Sequence, residues 1–538
     1  MHQRERVSFS VSEERHPQFV IRHLRDEVRL VSKLDAARVQ VGVRRIDVGN
    51  REVKDRARVI ELFVRRHFDH QSDPAAVEER QSWRHLEKEP HSQLVAVEGD
   101  SAFEILHGGG NLSDRTELRH VVHCTRMRFV MTPVGSSGDV HPFVGIGRAL
   151  KARGHDVIVS TAGPFRGIVE RAGLVYDETA SVEEFDEVSR HPDIWHPRRG
   201  LRLVLDSVVT RLRPAYERLV DLYVPGRTVL VGHSLSFATR VFEEMHRVPA
   251  ATIHLAPSIF RSDHAQPAYA PGRDASNWPR WLKRGVWWSI DRFMLDANVV
   301  PGLNEWRATL GLPPVTRVFR DWIHSPQRVI GLFPNWFGAP QPDWPDALRL
   351  TGFPLFDDHA PTDLPASLQR FLDSGSPPVL FTPGSANQAA SRFFRAAVDA
   401  TERLGRRALL LSRYTGHLPR LPPTAHHEPF VPLADVLPRC AALVSHGGVG
   451  TLAQGLAAGV PQVTMPMGYD QPDNATRLER LGVGRWVVPA KFDGDRVAAA
   501  LRDLLDDERV ATRCRHWSDR IRSHNAIEET CDLLEQPA

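Results

Sequence analysis

At 538 residues the chain exceeds what one compact core organises, so two domains plus an additional segment are expected. Its 69 Lys and Arg nearly balance 66 Asp and Glu, and the resulting net charge of +3 gives no electrostatic case for nucleic acid as the main partner. The four cysteines, Cys124, Cys440, Cys514 and Cys531, form no CxxC pair or metal-ligand spacing, which argues against a disulfide or zinc framework and fits a reducing, cytosolic setting.

No run approaches the roughly 18 to 20 apolar residues that span a bilayer, and the opening residues hold no signal-peptide core. The chain is therefore expected in the cytoplasm, soluble or peripheral on the inner face of a membrane. Residues 1–126 are rich in Arg, His and Glu and show no clear alternation of strands and helices, although Ala75 to Glu89 could be helical. They read either as a regulatory or partner-binding extension, or as poorly ordered sequence upstream of a native start at Met127. The second reading is favoured, because Met127 opens a well-formed strand and the segment before it carries no chemistry.

From Met127 the pattern changes. A strand over Met127 to Pro133 leads into the turn Gly135-Ser136-Ser137-Gly138 and a helix over Val140 to Arg153. A strand over His155 to Thr161, a helix over Pro164 to Ala172 and a buried strand over Thr228 to His233 follow. Strands separated by helices predict a parallel, doubly wound sheet for the first domain, 127–352. The stretch Trp278 to Phe293 sets Trp278, Trp281, Trp287, Trp288 and Phe293 among Arg and Lys, an amphipathic helix with two readings. It docks its aromatics on the core, or it offers an apolar wall or a membrane-facing patch. The proline-rich stretch 353–378 reads as a linker. Short strands over Val379 to Pro383, Ala408 to Ser412, Ala441 to Ser445 and Gln462 to Met465 make 379–538 a second α/β domain. Two such domains in tandem leave a cleft between the carboxyl ends of their strands.

Two turns in the second domain carry chemistry. After the strand ending at Ser445, His446-Gly447-Gly448-Val449-Gly450-Thr451 opens a helix. Its glycines let the backbone approach a ligand, and the helix presents free N–H groups and the positive end of its dipole, which suits a diphosphate. A tight strand-to-helix turn with glycines for packing is the alternative. After the next strand, Asp470 and Gln471 place a carboxylate and an amide side by side, as sugar hydroxyls require. Capping of a helix over Ala475 to Leu481 accounts for Asp473 or Asn474 but not for that pair.

The stretch HGGVGTLAQGLAAGVPQVTMPMGYDQPDNATRLERLGVG resembles the donor-site signature of family 1 glycosyltransferases of the GT-B fold. The resemblance implies two Rossmann-like doubly wound domains facing an interdomain cleft, with His446 and Thr451 on the donor phosphates and Asp470 and Gln471 on the sugar. It also implies Ser385, in Phe-Thr-Pro-Gly-Ser, as a phosphate contact, and Phe430 and Val431 beside the nucleotide base. The segment PVGSSGDVHPFVGIGRALKARGHDVIVST resembles the acceptor-domain opening of the sterol, antibiotic and lipid branch of the family, where the residue at the position of Asp139 is the catalytic base. A carboxylate on the loop leaving the first strand can take an acceptor proton; as an alternative it is the N-cap of the following helix. The stretch 317–357 further resembles the rhamnosyltransferases of rhamnolipid synthesis, which implies a hydroxylated fatty acid or its ester dimer as acceptor and dTDP-rhamnose as donor; the chain departs from them in keeping both His446 and Thr451 in its phosphate loop, which makes a UDP-hexose an equal alternative. Ser137, His233 and Ser234 fall on the acceptor side. No cofactor, metal or nucleic acid is implied.

Two other classes compete. Gly232-His233-Ser234-Leu235-Ser236 follows a strand as a nucleophile elbow would, with His107-Gly108-Gly109-Gly110 imitating an oxyanion loop, although the elbow wants Gly at Ser236. A catalytically inactive binding subunit is the third reading. Asp493-Gly494-Asp495, the lone DxD sequence, sits directly before a helix and reads as a cap rather than a metal site.

Overall fold

The computed structural model describes residues 126–196, 198–268, 275, 277–356, 364–384 and 390–536, together with the backbone of four strands nearer the amino terminus. The chain divides into two compact units, Met1–Arg126 and Met127–Ala538. In the first, β1 (Val43–Arg45), β2 (Gln93–Gly99), β3 (Ala102–Gly108) and β4 (Arg119–Val122) form an antiparallel sheet in that order. β2 and β3 pair Gly99 with Ala102, so a two-residue connection joins two runs rich in Val, Ile, Leu and Phe, a hairpin not expected from the sequence. The helix expected over Ala75 to Glu89 lies outside the described residues.

The second unit holds two parallel sheets. The first contains β5 (Arg128–Thr132), β6 (Asp156–Ala162), β7 (Val175–Ala180), β8 (Thr228–His233), β9 (Ala250–His254), β10 (Val329–Gly331) and β11 (Leu348–Leu350) in the order β11-β10-β9-β8-β5-β6-β7. The other contains β12 (Val379–Thr382), β13 (Ala408–Leu411), β14 (Ala425–Glu428), β15 (Ala442–Ser445), β16 (Gln462–Thr464) and β17 (Gly484–Trp486) in the order β14-β13-β12-β15-β16-β17. In each, the chain winds outward from its first strand, then crosses back to pair that strand with its fourth, as two Rossmann-like domains do. Strands covered on both faces must be apolar throughout: every residue of β8 and of β13 is buried.

Six helices position the site: α1 (Ser137–Ala152), α2 (Phe237–His246), α3 (Arg280–Ile290), α4 (Val449–Ala458), α5 (Gln471–Arg480) and α6 (Ala526–Glu535). α6 does not stay with the domain that precedes it. Its Cys531 and Leu534 join Ile146 and Leu150 in the core of the amino-terminal domain, Arg153 pairs with Asp532 at 2.7 Å, and Thr530 Oγ1 lies 2.9 Å from Thr351 Oγ1. The stretch expected as a linker is also partly core. Phe353 and Phe356 are buried, and the helix Ala366–Asp373 sets Leu368 and Leu372 against Leu380 and Leu409. One apolar cluster runs from Phe260 and Phe333 through Phe353 to Phe381 and Phe393, joining the two domains beneath the cleft.

Candidate functional site

The strand reversals of both sheets, between β5 and β8 and between β12 and β15, open into one cleft of about 1270 Å³. On the amino-terminal wall β5 ends at Thr132 and the chain turns through Gly135 at φ 135°, where a Cβ would fall on the Asp139 carboxylate. Ser136, not Asp139, is the N-cap of α1. Asp139 sits at the third helical position and closes a capping box, its Oδ2 accepting from the Ser136 N–H at 2.6 Å and hydroxyl at 3.0 Å. That leaves Oδ1, which lies 3.7 Å from His233 Nε2. Burial pulls the His233 pKa down while the Asp139 charge opposes the shift. The ring accepts the Leu235 N–H on Nδ1 at 3.4 Å, which assigns the hydrogen of the neutral ring to Nε2, facing Asp139. Ser137 borders the cleft beside them.

Ser234 has unexpected neighbours. Its Oγ lies 2.8 Å from His254 Nδ1, and His254 Nε2 lies 2.9 Å from His324 Nδ1, all three buried. Burial lowers both histidines, His324 to about 4, so the pair is neutral. The strained elbow of a serine hydrolase is not formed: among the described residues the non-glycines at positive φ are Arg247, Arg317 and Tyr469. Ser236, standing where such an elbow has glycine, bonds Thr132 Oγ1 at 2.7 Å. The imitated oxyanion glycines, Gly109 and Gly110, lie outside the described residues.

The opposite wall begins where β15 ends. Ser445 Oγ accepts the Gly447 N–H at 3.1 Å, Gly447 takes φ 88°, and Gly448 becomes the N-cap of α4 without offering a side chain to it. Val449, Gly450 and Thr451, the first turn of α4, line the cleft. The His446 ring is wedged between glycines: a Cβ on Gly384 or Gly448 would approach it to 2.7 or 2.5 Å. Its Nδ1 is buried with no hydrogen-bond partner among the described residues, and burial lowers the ring's pKa to about 4. A buried, neutral, unsatisfied nitrogen beside an uncapped helix start is an arrangement that an anion-bearing ligand would complete. Ser385 lies outside the described residues, one position after Gly384 at φ 89°.

α5 starts at Gln471, four residues before the helix expected from the sequence, and Asp470 itself holds the N-cap position. Gln471 Oε1 accepts the Met467 N–H at 2.8 Å, so its carbonyl builds the loop and its amide nitrogen is what it can offer a ligand. Asp470 Oδ2 accepts from Asn474 Nδ2 at 2.7 Å, and the same nitrogen reaches the Gly447 carbonyl at 3.0 Å, tying the two loops together. Burial raises the Asp470 pKa to about 6, with the Asp139 charge across the cleft pushing the same way. Asp473 caps nothing; it accepts the Ala268 N–H at 2.9 Å and Arg477 at 2.6 Å. Tyr469, held at φ 58°, spans the cleft to donate to the Ile194 carbonyl at 2.7 Å.

Farther along the carboxy-terminal wall, Phe430 is 42% exposed with the Arg413 guanidinium 5.9 Å above its ring, whereas Val431 is largely core. The amino-terminal half of the cavity has an apolar wall of Leu205 and Val208, Trp287 and Ile290 of α3, and Met294 and Phe319, with Arg211 and Arg261 also on its lining. Asp493 caps the helix Gly494–Leu505 by accepting the Arg496 N–H at 3.0 Å, and Asp495 pairs with Arg403 at 2.9 Å. Among the described residues no three His, Cys, Asp or Glu side chains cluster as a metal site would need. Sequence reasoning missed His254, His324, Asn474 and Tyr469. Asn474 alone had a signal, its position one turn after Asp470.

Residues 409–534 match the family model described as the erythromycin biosynthesis protein CIII-like C-terminal domain. The chain is 31% identical over 424 residues to O-mycaminosyltylonolide 6-deoxyallosyltransferase of Streptomyces fradiae, covering 76% of this chain and 97% of that one. Its fold is similar to the crystal structure of the kitacinnamycin glycosyltransferase (TM-score 0.57, 24% identity, 76% of this chain and 98% of that one). It is likewise similar to a spinosyn rhamnosyltransferase complexed with thymidine diphosphate (TM-score 0.56, 19% identity, 76% and 100%).

Proposed function

The chain belongs to the family 1 glycosyltransferases of GT-B fold, and from that premise we propose that it moves a hexosyl or rhamnosyl group from a UDP- or dTDP-sugar to a hydroxyl of a lipid-like acceptor, such as a hydroxy fatty acid. The observation that carries the donor half is the unsatisfied Nδ1 of His446, whose ring is wedged between glycines at the start of α4 and lines the same cleft as Asp139. In this reading the diphosphate lies along the first turn of α4 with His446 and Thr451 beside it, Ser385 is a further phosphate contact, and Phe430 and Val431 flank the base. Asp470 and the Gln471 amide hold the sugar.

The reaction is an inverting single displacement. Asp139 Oδ1 takes the proton of the acceptor hydroxyl, whose oxygen attacks the anomeric carbon from the face opposite the diphosphate. The bond from that carbon to the diphosphate oxygen breaks, and the charge gathering on the leaving group falls against the positive end of α4, so no metal is called for. The capping box fixes Asp139 in place for this, since one oxygen is tied down and the other left for chemistry. The apolar half of the cavity supports a hydrophobic acceptor. The Streptomyces fradiae relative is a 6-deoxyallosyltransferase, and rhamnose is also a 6-deoxyhexose, which supports a 6-deoxyhexosyl donor beside a hexosyl one.

Ser234 with His254 at 2.8 Å favours a second reading, an ester hydrolase; a histidine where the third member would be a carboxylate weighs against it. Incubating the chain with labelled UDP-glucose or dTDP-rhamnose and hydroxy fatty acids, followed by mass spectrometry, separates the cases. A glycosylated lipid supports transfer, cleavage of an added ester supports hydrolysis, and neither product supports an inactive binding subunit.

A further inference from the structure

α3 and the turn that follows it present two unlike faces. Trp287, Ile290 and Met294 look into the apolar half of the cavity, and Trp287 is buried under the Arg261 guanidinium at 3.9 Å. On the other side Trp281 is 72%, Trp288 60%, Phe293 65% and the preceding Trp278 44% exposed. Four of the ten large hydrophobic residues exposed among the described residues thus sit on one short segment, which scattered surface apolarity does not produce.

The charges between them have one sign. Arg280, Arg284 and Arg292 are exposed along the same stripe, and Arg292 lies 5.8 Å above the Phe293 ring. Asp291, the carboxylate of the segment Asn277–Leu295, is buried and held by Arg261 at 3.0 Å. Asp263, which Arg284 meets at 2.7 Å, is buried as well. Tryptophan and arginine interleaved without exposed acid suit the boundary between acyl chains and anionic headgroups: indole rings occupy that depth, and guanidinium groups meet lipid phosphates while their stems stay apolar.

We propose that this face seats on an anionic lipid bilayer, and that α3 thereby sets the mouth of the apolar half of the cavity against the membrane from which a lipid-like acceptor enters. The proposal rests on the glycolipid-forming reading only for its purpose; the docking itself is measured without substrate. The full chain is pelleted with vesicles of phosphatidylcholine alone or with about a quarter phosphatidylglycerol. Partition onto the anionic vesicles is expected to be about tenfold stronger and to fall as salt rises. Trp281→Ser combined with Trp288→Ser should weaken it about tenfold or more, and Arg280→Gln with Arg292→Gln should weaken it a few-fold and flatten the salt dependence. Thermal shift by UDP or dTDP, unchanged in both variants, verifies that they are folded. Equal pelleting of the wild type and the tryptophan variant, or none by the wild type, would overturn the proposal. So would a dimer in light scattering that the tryptophan substitutions dissolve, since the face would then join two copies. Vesicle binding that holds while no glycolipid forms would leave the surface standing and remove the acceptor assignment.

Discussion

The wall that carries His446 is made largely of backbone, and the wall opposite it is made of side chains. Around α4 the working parts are glycine φ angles, an uncapped helix start and one histidine wedged between Gly384 and Gly448. Around Asp139 they are a carboxylate, His233, Ser234 and an apolar lining drawn from helices far apart in the chain. A diphosphate has the same shape and charge whatever sugar it carries, so a fixed backbone cradle suits it. An apolar acceptor asks only for volume and dry surface, which many residue combinations supply. The two walls should accordingly fail in different ways.

The largest effect is expected on the side-chain wall. Asp139→Asn keeps the capping geometry but removes the proposed base, so turnover should fall about 10²- to 10⁴-fold while nucleotide affinity stays within about twofold, a contrast read by steady-state kinetics beside calorimetry. Turnover preserved in that variant would end the assignment. On the backbone wall, His446→Ala should weaken nucleotide binding about 10- to 100-fold and lower turnover with it. The glycines sharpen the division further. Gly448→Ala drives a Cβ to 2.5 Å from the His446 ring and should cost both thermal stability and nucleotide affinity. Gly450, with open space around it, should accept Ala with an unchanged or higher melting temperature and yet bind nucleotide about tenfold more weakly, because only a ligand would meet the new methyl.

The smallest effects come from Asp470, which links the two walls electrically. Its carboxyl titrates near 6, raised by burial and by Asp139, so turnover that needs the carboxylate should drop as pH falls through about 6, and Asp470→Asn should remove that inflection. Stability runs the other way. A group whose folded pKa lies above its unfolded value stabilises the fold most below the unfolded pKa, and that contribution is lost as pH rises through about 6. Asp470→Asn should therefore raise the melting temperature by about 1 to 3 °C at pH 8 and hardly at all at pH 4.

How much of this is legible in the sequence follows the same division. The loop 446–451 and the pair Asp470 and Gln471 are visible because the proposed cradle for a phosphate and a sugar would fix residue types at fixed spacing. Helix starts are harder to place. α5 begins at Gln471 because Pro472, in the first turn, lacks an N–H that would be unpaired there anyway, so a residue that looks like a breaker is tolerated. α1 begins at Ser137 because Ser136 and Asp139 form a capping box that a Gly-Ser turn disguises. α6 is amphipathic by sequence, but periodicity says only that one face is buried, not that it crosses to the other domain. The contact of His254 with His324 joins residues 70 positions apart and has no local signal. The tryptophan segment has two readings, and its faces divide between them: Trp287 is buried under Arg261 where it lines the cavity, while Trp281 and Trp288 stay exposed on the other side.

In the proposed reaction both walls take their roles from where the leaving diphosphate sits, and a crystal structure of the protein with dTDP or UDP tests that most directly. Both phosphates are predicted against the backbone N–H groups of Val449 to Thr451, with His446 Nδ1 donating to or accepting from the ligand and the open end of the diphosphate directed toward Asp139. A nucleotide bound elsewhere, or phosphates that leave His446 Nδ1 unpartnered, would contradict this placement.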